Sequence, residues 1–111
     1  MAIVKIKDLK IFIKNVDVEF IILKLLETTL TKDNDKIYTY LVADESGSIE
    51  ASIWNILLDI GDIIYIYDAY VSSFKERKRI FKSGNGYIRR IGEIKKEFIL
   101  NEEHKKLFSF S

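Results

Sequence analysis

The chain has 111 residues, with 18 basic and 17 acidic side chains, one histidine, no cysteine and no proline. At 48% hydrophobic and 32% charged it has the length and apolar content of one domain with a real core, not of a disordered segment. The absence of cysteine excludes a disulfide framework, a thiolate zinc site and a thiol nucleophile. The charged start (Met1–Lys7) is unlike a signal peptide, and no uncharged stretch approaches the ~18 apolar residues of a membrane span, so the expectation is an intracellular protein with no membrane partner.

β-Branched and aromatic residues dominate. Val16 to Thr31 reads as a strand longer than usual and therefore bent. Asp33-Asn34-Asp35 supplies turn chemistry, Ile37 to Ala43 a second strand, and Asp44-Glu45-Ser46-Gly47 a hairpin turn into a third, Ser48 to Trp54. Asn55 to Ile60 is short and apolar, which predicts a plug helix broken by Gly61-Asp62. Ile63 to Phe74 forms the fourth strand and Arg77 to Lys82 the fifth, with Gly84-Asn85-Gly86 closing the series. Five strands with a short helix between the third and fourth is the order of an all-β OB-fold barrel, assigned to residues 1–94. Residues 95–111 form a tail, compatible with a helix, that carries Phe98, Leu107, Phe108 and Phe110.

The near-zero net charge hides a segregation. Residues 1–36 carry seven basic and six acidic side chains; residues 37–74 carry none and six (Asp44, Glu45, Glu50, Asp59, Asp62, Asp68). Residues 75–90 then carry Lys75, Arg77, Lys78, Arg79, Lys82, Arg89 and Arg90 against Glu76 alone. A segment of −6 is followed directly by one of +6.

Strand alternation points the aromatics. Ile49, Ala51 and Ile53 share one face of the third strand and must line the barrel, which turns Trp54 outward with Ser48, Glu50 and Ser52. Tyr70 and Phe74 share a parity with Asp68 and Ser72, and Phe81 shares one with Arg77 and Arg79. Aromatic rings interleaved with cations are what single-stranded nucleic acid requires, because bases stack on π-faces at ~1–3 kcal/mol each while a cationic groove follows the phosphates. The stacking candidates are Trp54, Tyr70, Phe74 and Phe81; the phosphate candidates are Lys75, Arg77, Lys78 and Arg79, with Lys32, Lys36 and Lys82 in support. Against this stand a core Trp54, a helical reading of Tyr70 and Phe74, a Phe81 that closes the barrel bottom, and a basic run that merely solvates a hairpin tip.

The runs Val42–Ile49, Ser52–Trp54, Gly61–Ile64, Ala69-Tyr70, Ser73–Lys75 and Ile91–Glu93, with Ile6–Leu9 and Lys14-Asn15 before them, resemble the simple single-OB ssDNA-binding family. The similarity is to the ssDNA-binding component of the SOSS complex (human single-stranded DNA-binding protein type), with archaeal single-OB proteins as relatives. The resemblance implies a nuclear ssDNA-binding module of DNA repair or genome maintenance in which four aromatics stack bases. Those positions fall on Trp54, Tyr70, Phe74 and Phe81, the last a tyrosine in the family. It also implies a large scaffold protein of a SOSS-like complex as partner, contacted through Glu93 and Ile94. The chain departs from the family in a shorter, proline-free Trp54–Gly61 segment, in Leu41 where a basic residue is usual, and in an aromatic, mixed-charge tail in place of a Gly/Pro-rich one.

No enzyme motif competes. His104 has no His or Cys partner, Gly84-Asn85-Gly86 is no dinucleotide loop, and Asp44, Glu45, Asp59 and Asp62 read as turn and cap residues. The expectation is a non-catalytic ssDNA-binding protein without cofactor or metal. The alternatives are a structural OB protein bridging the members of a larger ssDNA-binding complex and an RNA-binding module.

Overall fold

The computed structural model describes residues 3–94. Its strands are β1 (Val16–Leu30), β2 (Lys36–Asp44), β3 (Gly47–Trp54), β4 (Asp62–Phe74) and β5 (Arg77–Glu93), closed into a barrel in the order β1-β2-β3-β5-β4. Pairing is antiparallel throughout except between β3 and β5, which run parallel. The tail 95–111, with His104 and its apolar residues, lies outside the described residues.

The core follows alternation. Val16, Val18, Phe20 and Ile22 of β1, Tyr40 and Val42 of β2, and Ile49, Ala51 and Ile53 of β3 all point inward and are buried. β1 is bent, as its length demands: its register slips between Ile22 and Lys24 and again between Leu25 and Glu27. Beyond Leu23 it leaves the core, and residues 24–30 form an exposed arm with the start of β2.

In β4 the inward set changes parity, from Ile64 and Ile66 to Ala69 and Val71. The cause is a bulge between Tyr67 and Ala69, where Asp68 takes φ of 61°. One extra residue sends every later side chain to the opposite face. Without it Tyr70 and Phe74 would point into the barrel. Buried Asp17 of β1 holds the bulge by accepting the Asp68 N–H at 3.2 Å. Its other oxygen takes the Tyr65 hydroxyl, whose pKa this hydrogen bond pushes up to about 12.

β5 runs through Gly84-Asn85-Gly86 to Glu93, far beyond the expected end at Lys82. Residues 83–86 stand opposite the single Asp68, since Lys82 pairs with Ala69 and Tyr87 with Tyr67. The glycine marks a close approach here, not a strand end. A Cβ on Gly86 would sit 2.3 Å from the Tyr67 carbonyl oxygen and 2.6 Å from that of Asp68. Gly86→Ala is therefore expected to lower stability by about 1–3 kcal/mol, read as a reduced melting temperature, because backbone and not a pliable side chain must give way.

The expected plug helix between β3 and β4 is absent. Residues 55–60 form an irregular loop, and the one helical element among the described residues is a 3₁₀ turn at Ile6–Asp8. Six residues cannot repay helix nucleation. Asn55 turns the chain with φ of 60°, and the Tyr40 hydroxyl captures the Leu58 N–H at 2.8 Å while Leu58 packs on the core. Ile56 and Leu57 remain exposed.

Two of the four acidic turn residues, Asp44 and Asp62, cap turns as read. Asp44 accepts from the Ile6, Ser46 and Gly47 N–H groups at 2.9, 2.7 and 3.2 Å, tying the 3₁₀ turn to the β2–β3 hairpin. Burial pushes the Asp44 carboxyl up, but these bonds and that of the Ser46 hydroxyl outweigh it and hold the group below its ordinary value. Asp62 accepts the Asp59 N–H at 3.0 Å and pairs with Arg90 at 2.8 Å.

Candidate nucleic-acid interface

The outer faces of β3, β5 and β4 form a grid fixed by register. Ser52 of β3 lies beside Phe81 of β5, which faces Tyr70 of β4; one step along, Glu50 lies beside Arg79, which faces Ser72. Arg77 and Phe74 pair at the end. Inward Ile80 settles the orientation of β5, so Phe81 lies outside the barrel and does not close its bottom.

Three of the four predicted rings, Trp54, Phe81 and Tyr70, come into contact on this grid, while Phe74 stands apart at the end of β4 over Arg79. The Phe81 ring centroid is 5.4 Å from that of Tyr70, nearly parallel at 18°, and 6.1 Å from that of Trp54. Trp54, Tyr70 and Phe74 are 43%, 37% and 41% exposed, so they offer free ring surface. Trp54 ends β3 and is held there by Asn55, which exchanges hydrogen bonds with the Lys36 backbone at 2.7 and 2.9 Å and donates to Asp35 at 3.0 Å. Phe74 ends β4, where Lys75 and Glu76 both take positive φ (51° and 66°) in the two-residue turn to β5, a conformation whose twist matches the flanking strands.

Beside the rings runs a cleft. Its floor is Thr39, Glu50 and Arg79, one wall is Leu26 and Glu27 of the β1 arm, and the other is Phe74, Lys75 and Arg77. Thr39 on its floor is buried and shares a hydrogen bond of 2.8 Å with buried Ser52.

The predicted cations have different surroundings. Lys75 lies over the Phe74 ring at 5.4 Å and the Arg79 guanidinium at 4.3 Å, both favourable cation–π placements. Arg77 is exposed and 3.3 Å from Glu50. Arg79 is buried, with its guanidinium 2.7 Å from Glu50 and 3.4 Å from Glu27. Lys78, on the other parity of β5, donates to the Leu9 carbonyl at 2.9 Å. Lys82 donates to the Ser83 and Gly86 carbonyls at 3.0 and 3.3 Å, strapping the excursion of residues 83–86. Lys32 and Lys36 lie at the far end of the β1–β2 arm. Thus Lys75 and Arg77 share one end of the cleft with Phe74, Arg79 lies beneath it, and Lys78 and Lys82 are engaged elsewhere.

Glu27 and Glu50 are the site residues that the sequence reading missed as partners. Glu50 could have been found: it shares the outward parity of Trp54. Of the two scaffold candidates, Glu93 is exposed and paired with Arg90 at 2.8 Å, whereas Ile94 packs against Leu23 and Ala43 and donates its N–H to Gly61 at 2.8 Å.

No family model matches the chain. Solved structures do. The OB domain of Ta0387 from Thermoplasma acidophilum superposes with a TM-score of 0.71 at 19% identity, covering 84% of this chain and 90% of that one. The barrel is an OB-fold. A domain of replication protein A from Methanococcus maripaludis matches this OB-fold with a TM-score of 0.68 at 17% identity, over 83% of this chain and 98% of that one. The OB domain of MM0293 from Methanosarcina mazei matches it at 0.67 and 22% identity, over 82% and 84%. At such identities the likeness is one of fold.

Proposed function

We propose that this OB-fold is a non-catalytic single-stranded DNA-binding module, and the observation that carries the reading is the contiguous row Trp54–Phe81–Tyr70 beside Phe74. Rings held 5–6 Å apart on a rigid barrel give successive bases pre-organised stacking faces. Lys75 and Arg77 at the β4–β5 tip take phosphates, with Lys32 and Lys36 on the opposite arm. Arg79 acts through Phe74, which it supports from beneath. Because Glu50 and Glu27 already neutralise part of the basic run, the cationic track is short and affinity is moderate. A role in genome maintenance is supported by the archaeal replication protein A domain among the structural neighbours and by the resemblance to the ssDNA-binding component of the SOSS complex. That resemblance also supports a nuclear setting in a eukaryotic source and a scaffold partner that meets the exposed Glu93.

Trp54 supplies the probe. Titration with oligo-dT is expected to change its fluorescence, and affinity should fall with log salt at about −0.7 per phosphate contacted, a slope near −1.4 for Lys75 and Arg77 alone and near −2.8 for a strand that also reaches Lys32 and Lys36. Unchanged fluorescence and no gel shift at low salt would overturn the reading. Equal or tighter binding of oligo-rU would shift it to RNA.

A further inference from the structure

Outside the row, the described residues hold one more exposed aromatic in an unusual setting. Phe12 is 78% exposed, the most exposed large hydrophobic side chain among them, and its φ is 71°. A bulky residue in the left-handed region is strained, and glycine would be at ease there. The ring is not on a loose loop. The Phe12 N–H donates to the Val71 carbonyl at 2.8 Å and the Val71 N–H donates to the Ile13 carbonyl at 2.9 Å, so the segment is laced to β4 like an added strand. Strain and exposure together, rigidly kept, mark a side chain retained for contact with something outside the chain.

Phe12 and Lys14 wall a groove of about 460 Å³ whose other side includes Tyr70, Ser72 and Ser83. Tyr70 belongs to the stacking row as well, so the groove continues the row on its far side from Trp54. Among the described residues Lys14 is the one cation lining it, and Asp68 lies at its back with one carboxylate oxygen on Ser83 at 2.8 Å. A phosphate would be repelled from the back, whereas an uncharged base would not, and Asn15, Ser72 and Ser83 offer it polar partners among the lining residues.

We propose that the nucleic-acid track continues past Tyr70 into this groove, with Phe12 as a further stacking face and Lys14 as a phosphate contact at the rim. The proposal rests on the single-strand reading above and extends its length. It predicts a strand-length dependence that resides in Phe12. Affinity is measured for a short oligo-dT of about four nucleotides, one for each ring of the row and one for Phe74, and for one of about ten. Phe12→Gly is expected to leave short-strand affinity unchanged and to weaken the longer strand by about ten-fold, with a melting temperature unchanged or raised. Lys14→Ala should lessen the salt slope by about 0.7 for the longer strand only. Undiminished long-strand affinity in Phe12→Gly overturns the extension and leaves the ring to a protein partner; an equal loss on both lengths overturns it too. If the unaltered protein binds neither strand, the single-strand reading itself has failed.

Discussion

Phe81→Ala is expected to weaken single-strand binding more than loss of any other ring. Phe81 is the middle member of the row, 6.1 Å from Trp54 and 5.4 Å from Tyr70. Its removal takes away one stacking face, at ~1–3 kcal/mol. It also leaves its neighbours without the aromatic contact that orients them, at ~0.5–1.5 kcal/mol. Together these give about 1.5–4.5 kcal/mol, or about 12- to 2,000-fold in Kd. Trp54→Ala, at one end of the row, and Phe74→Ala, outside it, should each cost only the stacking contribution of ~1–3 kcal/mol. The barrel should survive Phe81→Ala, since buried Ile80 carries the core at this point of β5 and Phe81 lies outside it. Phe81→Tyr, which keeps the ring, should bind like the unaltered chain. Fluorescence titration beside a thermal melt separates the effects: an affinity within about two-fold of the original, with melting intact, would remove Phe81 from the site.

The sequence is most informative where structure is local. Ile49, Ala51 and Ile53 alternate without interruption, and β3 follows them, with Trp54 outward. β4 is legible only in part. Continuous alternation from Ile64 and Ile66 would carry Tyr70 and Phe74 inward, and only the polar-flanked set Asp68, Tyr70, Ser72 and Phe74 signals otherwise. The physical reason, a bulge at Asp68, depends on Asp17 in another strand and on the missing Cβ of Gly86 in a third. No local pattern contains that. The same non-locality misleads at residues 55–60, whose apolar side chains suggest a helix while the Tyr40 hydroxyl claims the backbone. It misleads at Gly84-Asn85-Gly86 too, where glycine marks contact with the β4 bulge. The opposed charge segments are visible in the sequence, but their meeting is not: Glu50 reaches Arg79 only through the parallel β3–β5 pairing.

That meeting makes Glu50→Ala the substitution with the largest expected effect on stability. The Arg79 side chain is 7% exposed and that of Glu50 12%, and Glu50 takes both its Nε and its Nη2 donors, at 3.2 and 2.7 Å. Loss of one partner leaves a buried guanidinium with only the 3.4 Å contact to Glu27, and a buried charge stripped of its partner costs far more than the pair is worth. A loss of about 3 kcal/mol is expected, the low end for a broken buried pair because Glu27 remains. It would be read as a fall in the denaturation midpoint at unchanged slope. Glu50→Gln separates charge from hydrogen bonding. Its amide oxygen still accepts from Arg79 but carries no charge, so only the hydrogen-bonding part of the stability should return. Meanwhile the cleft loses an anion and exposed Arg77 loses its partner. Affinity for a single strand should then rise by about two- to five-fold, the worth of one exposed ion pair released to a phosphate. The slope with log salt should steepen as well. A Glu50→Ala protein as stable as the original would show that the Arg79 charge is satisfied without Glu50. A Glu50→Gln protein that binds more weakly would show that Glu50 shapes the stacking face and does not restrain the cationic track.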